Sequence, residues 1–292
     1  MSASTLSNAV YFPLFLRWLY DTLVLGFYCP LAWGCPRDVL SGHYSKHISS
    51  LVKPNARLLD IGVGTGFFMQ RAPLPPDSII FLVDINQNPL AEAQHRIQLA
   101  HPDVIVDTVQ ADVFVLGDRH TSQLPSSLHM GSNGQFDVIS CMLLLHCLPG
   151  SSKRKGEAMA GLGRLLKPDG VLVGATVLGG GVKHNAFGRF LMFWHNLLGV
   201  FHNNKDYAAD IVEPLKAGFK YVDWQMVGTT LLFEAKAPRA RSIGRVWLWA
   251  PKGIVRDFVY TAAPQTAMNG GPQARLTEEA ETEGLQSFRS QA

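Results

Sequence analysis

Charge is scarce in this chain. Of its 292 residues only 17% are charged, below the roughly 25% usual for a soluble domain, while 47% are hydrophobic. That balance excludes a disordered or fibrous chain, and the length suits one large domain or two small ones. The first nine residues, Met1–Ala9, contain no Lys or Arg, so the basic start of a secretory signal is missing. Cysteine is sparse too. The four fall as Cys29/Cys35 and Cys141/Cys147, and neither pair has the two-residue gap of a zinc knuckle or redox motif. Free thiols in a reducing, cytoplasmic setting are expected. No set of His, Asp and Glu has helical ligand spacing, so no metal is expected, and there is no internal repeat. A single long apolar stretch, Tyr11–Cys29, contains Arg17 and Asp21. Each such charge costs about 3 kcal/mol at a bilayer centre. A buried or lid helix with a local ion pair is therefore expected there, not an integral membrane span.

The charge that is present is unevenly placed. Residues 1–235 hold 18 basic and 18 acidic side chains, so the net charge of +3 arises entirely beyond them. Lys236, Arg239, Arg241, Arg245, Lys252 and Arg256 form a run with no acid among them, close to Trp247 and Trp249. Such a mixture reads either as a weak membrane-surface contact through 236–256 or as a loosely attached extension. The neutral main body argues against a nucleic-acid partner. From Pro264 the composition is that of a disordered tail.

Five apolar runs alternate with helical stretches: Arg57–Ile61, Ser78–Asp84, Val104–Gln110, Phe136–Cys141 and Gly170–Leu178. Runs of this kind suit strands covered on both faces, as in a parallel sheet. Helices are expected over Asn88–Ala100 and Lys153–Leu166, the second stopped by a turn at Lys167-Pro168-Asp169-Gly170. Two further strands, Tyr221–Met226 and Thr230–Lys236, are joined closely enough for a hairpin. The fold class is α/β: doubly wound, mostly parallel, with a C-terminal antiparallel hairpin strand. Gly117–Gln135 reads as a polar surface insertion. The chain divides into a helical leader or lid (1–50), a core (51–237) and the basic extension with its tail (238–292).

The decisive motif is Asp60-Ile61-Gly62-Val63-Gly64-Thr65-Gly66-Phe67, where a strand ends in an acid and enters a glycine loop. Glycine permits tight turning and close approach of a ligand. A dinucleotide fingerprint would want glycine where Phe67 stands, and an acid at Asp60 suits a cationic ligand better than a diphosphate. Asp84 ends the second strand, where a carboxylate can take both ribose hydroxyls. Asp112 follows the third, with Val113 beside it. Each acid alone could equally be a turn or a helix cap; together with the loop they converge on one crevice.

In these residues, from Leu51 to Ala237, the chain resembles the class I S-adenosylmethionine-dependent methyltransferases, whose fold is Rossmann-like. The resemblance implies that Asp60, Gly62, Gly64 and Gly66 lie along the methionine part of S-adenosylmethionine. It makes Asp84 the ribose ligand and Asp112 with Val113 the adenine contacts. The Leu165–Gly170 turn matches as well, with Asp169 where glycine is commoner. The leader (Trp18-Leu19-Tyr20-Asp21 to Tyr28, then Trp33-Gly34-Cys35-Pro36) and His146-Cys147-Leu148-Pro149-Gly150 are similar to small methyltransferases of fungal secondary-metabolite pathways.

The chemistry implied is methyl transfer from a sulfonium to a small-molecule acceptor, with O-methylation of a hydroxyl or carboxyl group favoured over N- or C-methylation. Alignment and exclusion of water carry most of such a reaction. His146, in the loop after the fourth strand, is the candidate general base, with loop fixing as its alternative role. Tyr20, Tyr28 and Trp194 are candidate substrate or lid residues. In the helix expected over Lys183–Phe201, core packing is expected of Phe190, Phe193 and Trp194 individually. A nicotinamide oxidoreductase and a non-catalytic cofactor-binding module are the alternatives from other classes.

Overall fold

The computed structural model describes residues 16–51, 53–118, 125, 128 and 136–239. The greater part of the expected insertion, the basic residues from Arg241 onward and the tail lie outside the described residues. Seven strands form one sheet: β1 (Arg57–Ile61), β2 (Ile79–Asp84), β3 (Ile105–Gln110), β4 (Phe136–Met142), β5 (Leu166–Val177), β6 (Phe219–Val227) and β7 (Thr230–Pro238). Their order is β3-β2-β1-β4-β5-β7-β6. Strands β1 to β5 pair in parallel, while β7 runs antiparallel to both β5 and β6. The mostly parallel sheet and the terminal hairpin are as the sequence predicts.

Successive residues of a strand face opposite sides of a sheet. On β1, Leu58 accordingly joins one buried cluster and Leu59 and Ile61 the other. Full burial of each such side chain contributes about 1.5–3 kcal/mol. The first cluster is completed by α3 (Gln87–Ala100) and by the leader, through Leu25, Cys29, Trp33, Leu40 and Tyr44. The second is covered by α5 (Ser152–Gly161) and α7 (Ala208–Gly218).

Two details differ from the sequence reading. Residues Lys167–Gly170 belong to β5 and form an irregularity in it, since pairing passes from Phe136↔Leu166 directly to Val138↔Val171. Both carboxylate oxygens of Asp137 accept from Lys167 Nζ at 2.8 Å, which fixes this excursion. The leader helix, Leu16–Ala32, is wound in π geometry over 17 residues and contains Pro30. Its wider turn is visible where Trp33 N–H donates to the Tyr28 carbonyl five residues back. No helix among the described residues is long and apolar enough to cross a membrane.

Helix α1 (Arg37–Ile48) follows the leader, seats on β4 and β5, and is tied to β7 by side-chain hydrogen bonds. His43 Nε2 donates to the carbonyls of Gly174 and Phe233, and Glu234 accepts from Lys46 and His47. Two members of the basic run are described. Lys236 stands 3.6 Å from Glu234, and Arg239 donates through its main chain to Gly218 and through Nε to Phe219.

Candidate functional site

A parallel sheet leaves its ligand crevice at the carboxyl ends of its strands, where β1 and β4 diverge in the strand order. Here β1 ends on Asp60-Ile61 and turns through Gly62, Gly64 and Gly66, all at positive φ. The Gly62 N–H donates to the Val83 carbonyl at 2.8 Å, tying the loop to β2. A Cβ at Gly62 would stand 2.6 Å from Leu144 Cδ1, and one at Gly66 2.9 Å from Ala93 Cα. Only glycine fits either place. The helix that follows, α2 (Phe67–Gln70), is a single turn.

Asp60 and Asp84 face the resulting cleft together with Gly62, Gly64 and Thr65. Asp60 is buried and lies in register with Ser140 of β4, whose hydroxyl donates to it. Burial pushes the Asp60 carboxyl up to about 6; Ser140 opposes the shift and the charge of Asp84 adds to it. Burial also raises Asp84 to about 6, against the Asn86 N–H that donates to it at 2.9 Å. Neither acid forms an ion pair among the described residues. Two desolvated carboxylates without a cation make a cleft that favours hydroxyl donors and positive charge.

The other expected cofactor residues are placed differently. Gly66 packs against α3 rather than lining the cleft. Asp112 caps α4 (Val113–Gly117), accepting from the Phe114 N–H at 2.8 Å, and Val113 is buried in the second core cluster. Strand-end acids serve as helix caps as readily as ligand groups, and the sequence alone does not separate the two.

A second cavity, of about 210 Å³, adjoins the cleft and shares Leu143 and Cys147 with it. Its wall includes Tyr28, Trp33, His146, Trp194, His195 and Phe201, and no Lys, Arg, Asp or Glu lines it. Tyr28 and Trp194 are thus brought together; Tyr20 lies on the leader helix, but its side chain is outside the described residues. Burial pushes the Cys29 and Cys147 thiols up to about 12, so both are inert wall. Leu143, at φ +57, turns the chain between the two spaces.

His146 is buried, with its ring 4.4 Å from that of Phe201. Its Nδ1 accepts from the Val177 N–H at 3.4 Å and lies 3.3 Å from the Thr176 hydroxyl. A main-chain N–H can only donate, so the ring proton sits on Nε2. Burial first, then the charges of Lys155 and His195, lowers its pKa to about 3. This arrangement suits a hydrogen-bond donor rather than a proton acceptor. Behind it, fully buried Lys155 donates to Asp206 at 2.6 Å and to the His202 carbonyl at 2.8 Å. That strap holds the segment bearing Phe201 against His146, helped by the His202 N–H donating to the His146 carbonyl.

Helix α6 (Ala186–Leu197) buries only Gly188, Leu191 and Met192. The expectation of core packing for its aromatics does not hold: Phe190, Phe193 and Trp194 are 58%, 61% and 43% exposed. The helix lies outermost, over the leader helix, so most of its circumference has no layer above it among the described residues.

The leader helix contributes a feature that sequence reasoning missed. Asp21 accepts from the Thr65 hydroxyl at 2.6 Å and from Arg96 Nη2 at 2.7 Å. Thr65 and Leu25 line the cleft, and Leu143 and Cys147 form the wall between the spaces. Asp21 within an apolar stretch and Thr65 within the glycine loop were the available signals, but nothing in the sequence joined them; the apolar residues read simply as core.

A methyltransferase domain model matches residues 59–172. A methyltransferase of Penicillium polonicum, verB, is 38% identical over 76% of this chain and 94% of its own length. The physcion biosynthesis cluster O-methyltransferase of Aspergillus chevalieri is 32% identical over 79% of this chain and 95% of its own. An O-methyltransferase family protein from Burkholderia thailandensis shares the fold with a TM-score of 0.50 at 16% identity, over 82% of this chain and 60% of that one.

Proposed function

Since this chain belongs to the class I S-adenosylmethionine-dependent methyltransferases, of the type found in secondary metabolism, we propose that it methylates an oxygen of a small, apolar metabolite. The observation that carries this reading is the uncharged aromatic cavity abutting the two-carboxylate cleft. Family membership removes the nicotinamide alternative.

The cleft fits the cofactor on its own chemistry. Asp84 is a desolvated carboxylate at a strand end and would hold the ribose hydroxyls, each a donor to it. Asp60 and the loop Gly62–Gly66 would flank the methionine portion, where a buried acid favours the cationic sulfonium and ammonium. Asp112 would reach the adenine only through the oxygen not engaged at the helix cap, with Val113 as apolar backing. The bound cofactor supplies an electrophilic methyl on sulfur. The chain's own contribution is placement: Tyr28 and Trp194 hold the acceptor, and Leu143 and Cys147 border both ligands. Alignment of two reactants contributes on the order of 7–11 kcal/mol in favourable models. His146 presents Nε2–H to the acceptor. The acceptor itself is a small molecule.

Calorimetric titration with S-adenosylhomocysteine tests the cofactor assignment. Wild type binds and Asp84→Ala loses most of the affinity; equal affinity would remove Asp84 as the ribose ligand. In the source organism, deletion of the coding sequence leads to a metabolite lighter by one CH2. An unchanged metabolite profile counts against a small-molecule acceptor.

A further inference from the structure

His195, on α6, contrasts with His146 across the same cavity. Its Nδ1 lies 2.7 Å from the Leu191 carbonyl, which can only accept, so Nδ1 carries the ring proton and Nε2 is bare. Both rings pack on Phe201, at 4.4 Å for His146 and 4.7 Å for His195. Among the described residues neither Nε2 has a hydrogen-bond partner. The cavity therefore presents one N–H donor and one nitrogen lone pair, in a wall without a charged side chain.

That pairing selects among acceptors. A hydroxyl both accepts and donates, so it satisfies the two rings at once. A carboxylate only accepts; it would meet the bare His195 nitrogen and find no cation in the wall. An amine that accepted from His146 would give up the lone pair it needs for attack.

We propose that His146 and His195 together read a single uncharged hydroxyl on an aromatic acceptor, His146 Nε2–H donating to its oxygen and His195 Nε2 taking its proton. The inference rests on the methyltransferase reading above. In the transfer, the oxygen–carbon bond forms as the carbon–sulfur bond of the sulfonium breaks. The sulfur leaves as a neutral thioether, the hydroxyl proton passes to His195, and the imidazolium then releases it to solvent. The titratable groups in the wall around His195 are His146, Tyr28, Cys29 and Cys147, with Lys155 behind His146. Burial lowers the His195 pKa below its usual value, so the ring is bare at neutral pH.

Three probes of one shape test this: 1-naphthol, 1-naphthoate and naphthalene, titrated into full-length protein saturated with S-adenosylhomocysteine and followed by Trp33 and Trp194 fluorescence. One satisfied hydrogen bond corresponds to about tenfold in affinity, so wild type binds naphthol about tenfold tighter than either of the other two. In His195→Phe the naphthol preference over naphthalene collapses to within about twofold while naphthalene affinity is kept, which also reports an intact cavity. In His195→Gln, whose amide oxygen can accept, part of the preference returns. In wild type the preference fades as acid protonates His195. Naphthoate binding as tightly as naphthol, a preference that survives His195→Phe, or no binding of any probe beside bound S-adenosylhomocysteine overturns the proposal. Failure of S-adenosylhomocysteine itself to bind overturns instead the reading on which it rests.

Discussion

Thr65 in the glycine loop donates its hydroxyl to Asp21 of the leader helix at 2.6 Å, across 44 residues of sequence. The same carboxylate accepts from Arg96 on α3, so one side chain joins the leader, the loop and the layer beneath it. Asp21 and Arg96 are 24% and 16% exposed, enough desolvation for the pair to matter. Removing one partner of a hydrogen-bonded charge pair at this depth costs about 1–3 kcal/mol. Asp21→Ala is therefore expected to lower the melting temperature by several degrees, as scanning calorimetry reads it, and to weaken S-adenosylhomocysteine. If both quantities match wild type, the tie has no energetic weight.

The raised carboxyls of Asp60 and Asp84 set a pH dependence with a definite sign. Both titrate near 6 in the folded chain and near 3.8 when free, so between those values the folded state binds more protons than the unfolded one. Their contribution to stability is complete below about 4 and is lost as pH rises through about 6. Cofactor binding needs the charged form and runs the other way. The rise in melting temperature on adding S-adenosylhomocysteine is expected to be small at pH 5 and large at pH 7.5. An increment independent of pH would show that the two acids are not the groups that respond to the cofactor.

Gly66→Ala combines two penalties. The backbone there is left-handed, at φ +71, which costs an L-residue about 1–2 kcal/mol. The new methyl would also meet Ala93 Cα at 2.9 Å, where only a shift of α3 makes room. The expected outcome is a clear fall in denaturant midpoint and weaker cofactor binding. Wild-type stability would mean that the loop and α3 can part freely.

Lys155 and Asp206 form an ion pair at 2.6 Å with side chains 0% and 2% exposed. Breaking such a pair from one side costs about 3–5 kcal/mol, because the remaining charge stays buried, whereas removing both ends together is far milder. Lys155→Met should be strongly destabilised, and the double variant Lys155→Met/Asp206→Leu should recover much of the loss. Additive effects of the two substitutions, measured by urea unfolding, would show that the charges are not coupled.

The strands were legible because a parallel sheet buries its central strands on both faces, and runs such as Ile79–Asp84 record that burial directly. The glycine loop was legible because the local backbone tolerates nothing else. The leader was legible as a helix, but Thr65 and Arg96 as the partners of its Asp21 were not, since a local pairing assumes 3.6 residues per turn and a π-wound helix does not follow that period. Asp112 shows a different limit: its cap to Phe114 leaves the same sequence pattern as a ligand contact. The roles of His146 and His195 depend on which carbonyl or N–H each Nδ1 meets, and those partners, Val177 and Leu191, carry no mark in the sequence.

The leader helix sends Leu25 into the cleft and Tyr28 and Cys29 into the neighbouring cavity. Both compartments thus have a wall in the same helix. A substitution that reshapes this helix on the acceptor side therefore also alters the wall on the cofactor side, so the two sites are not independent of one another.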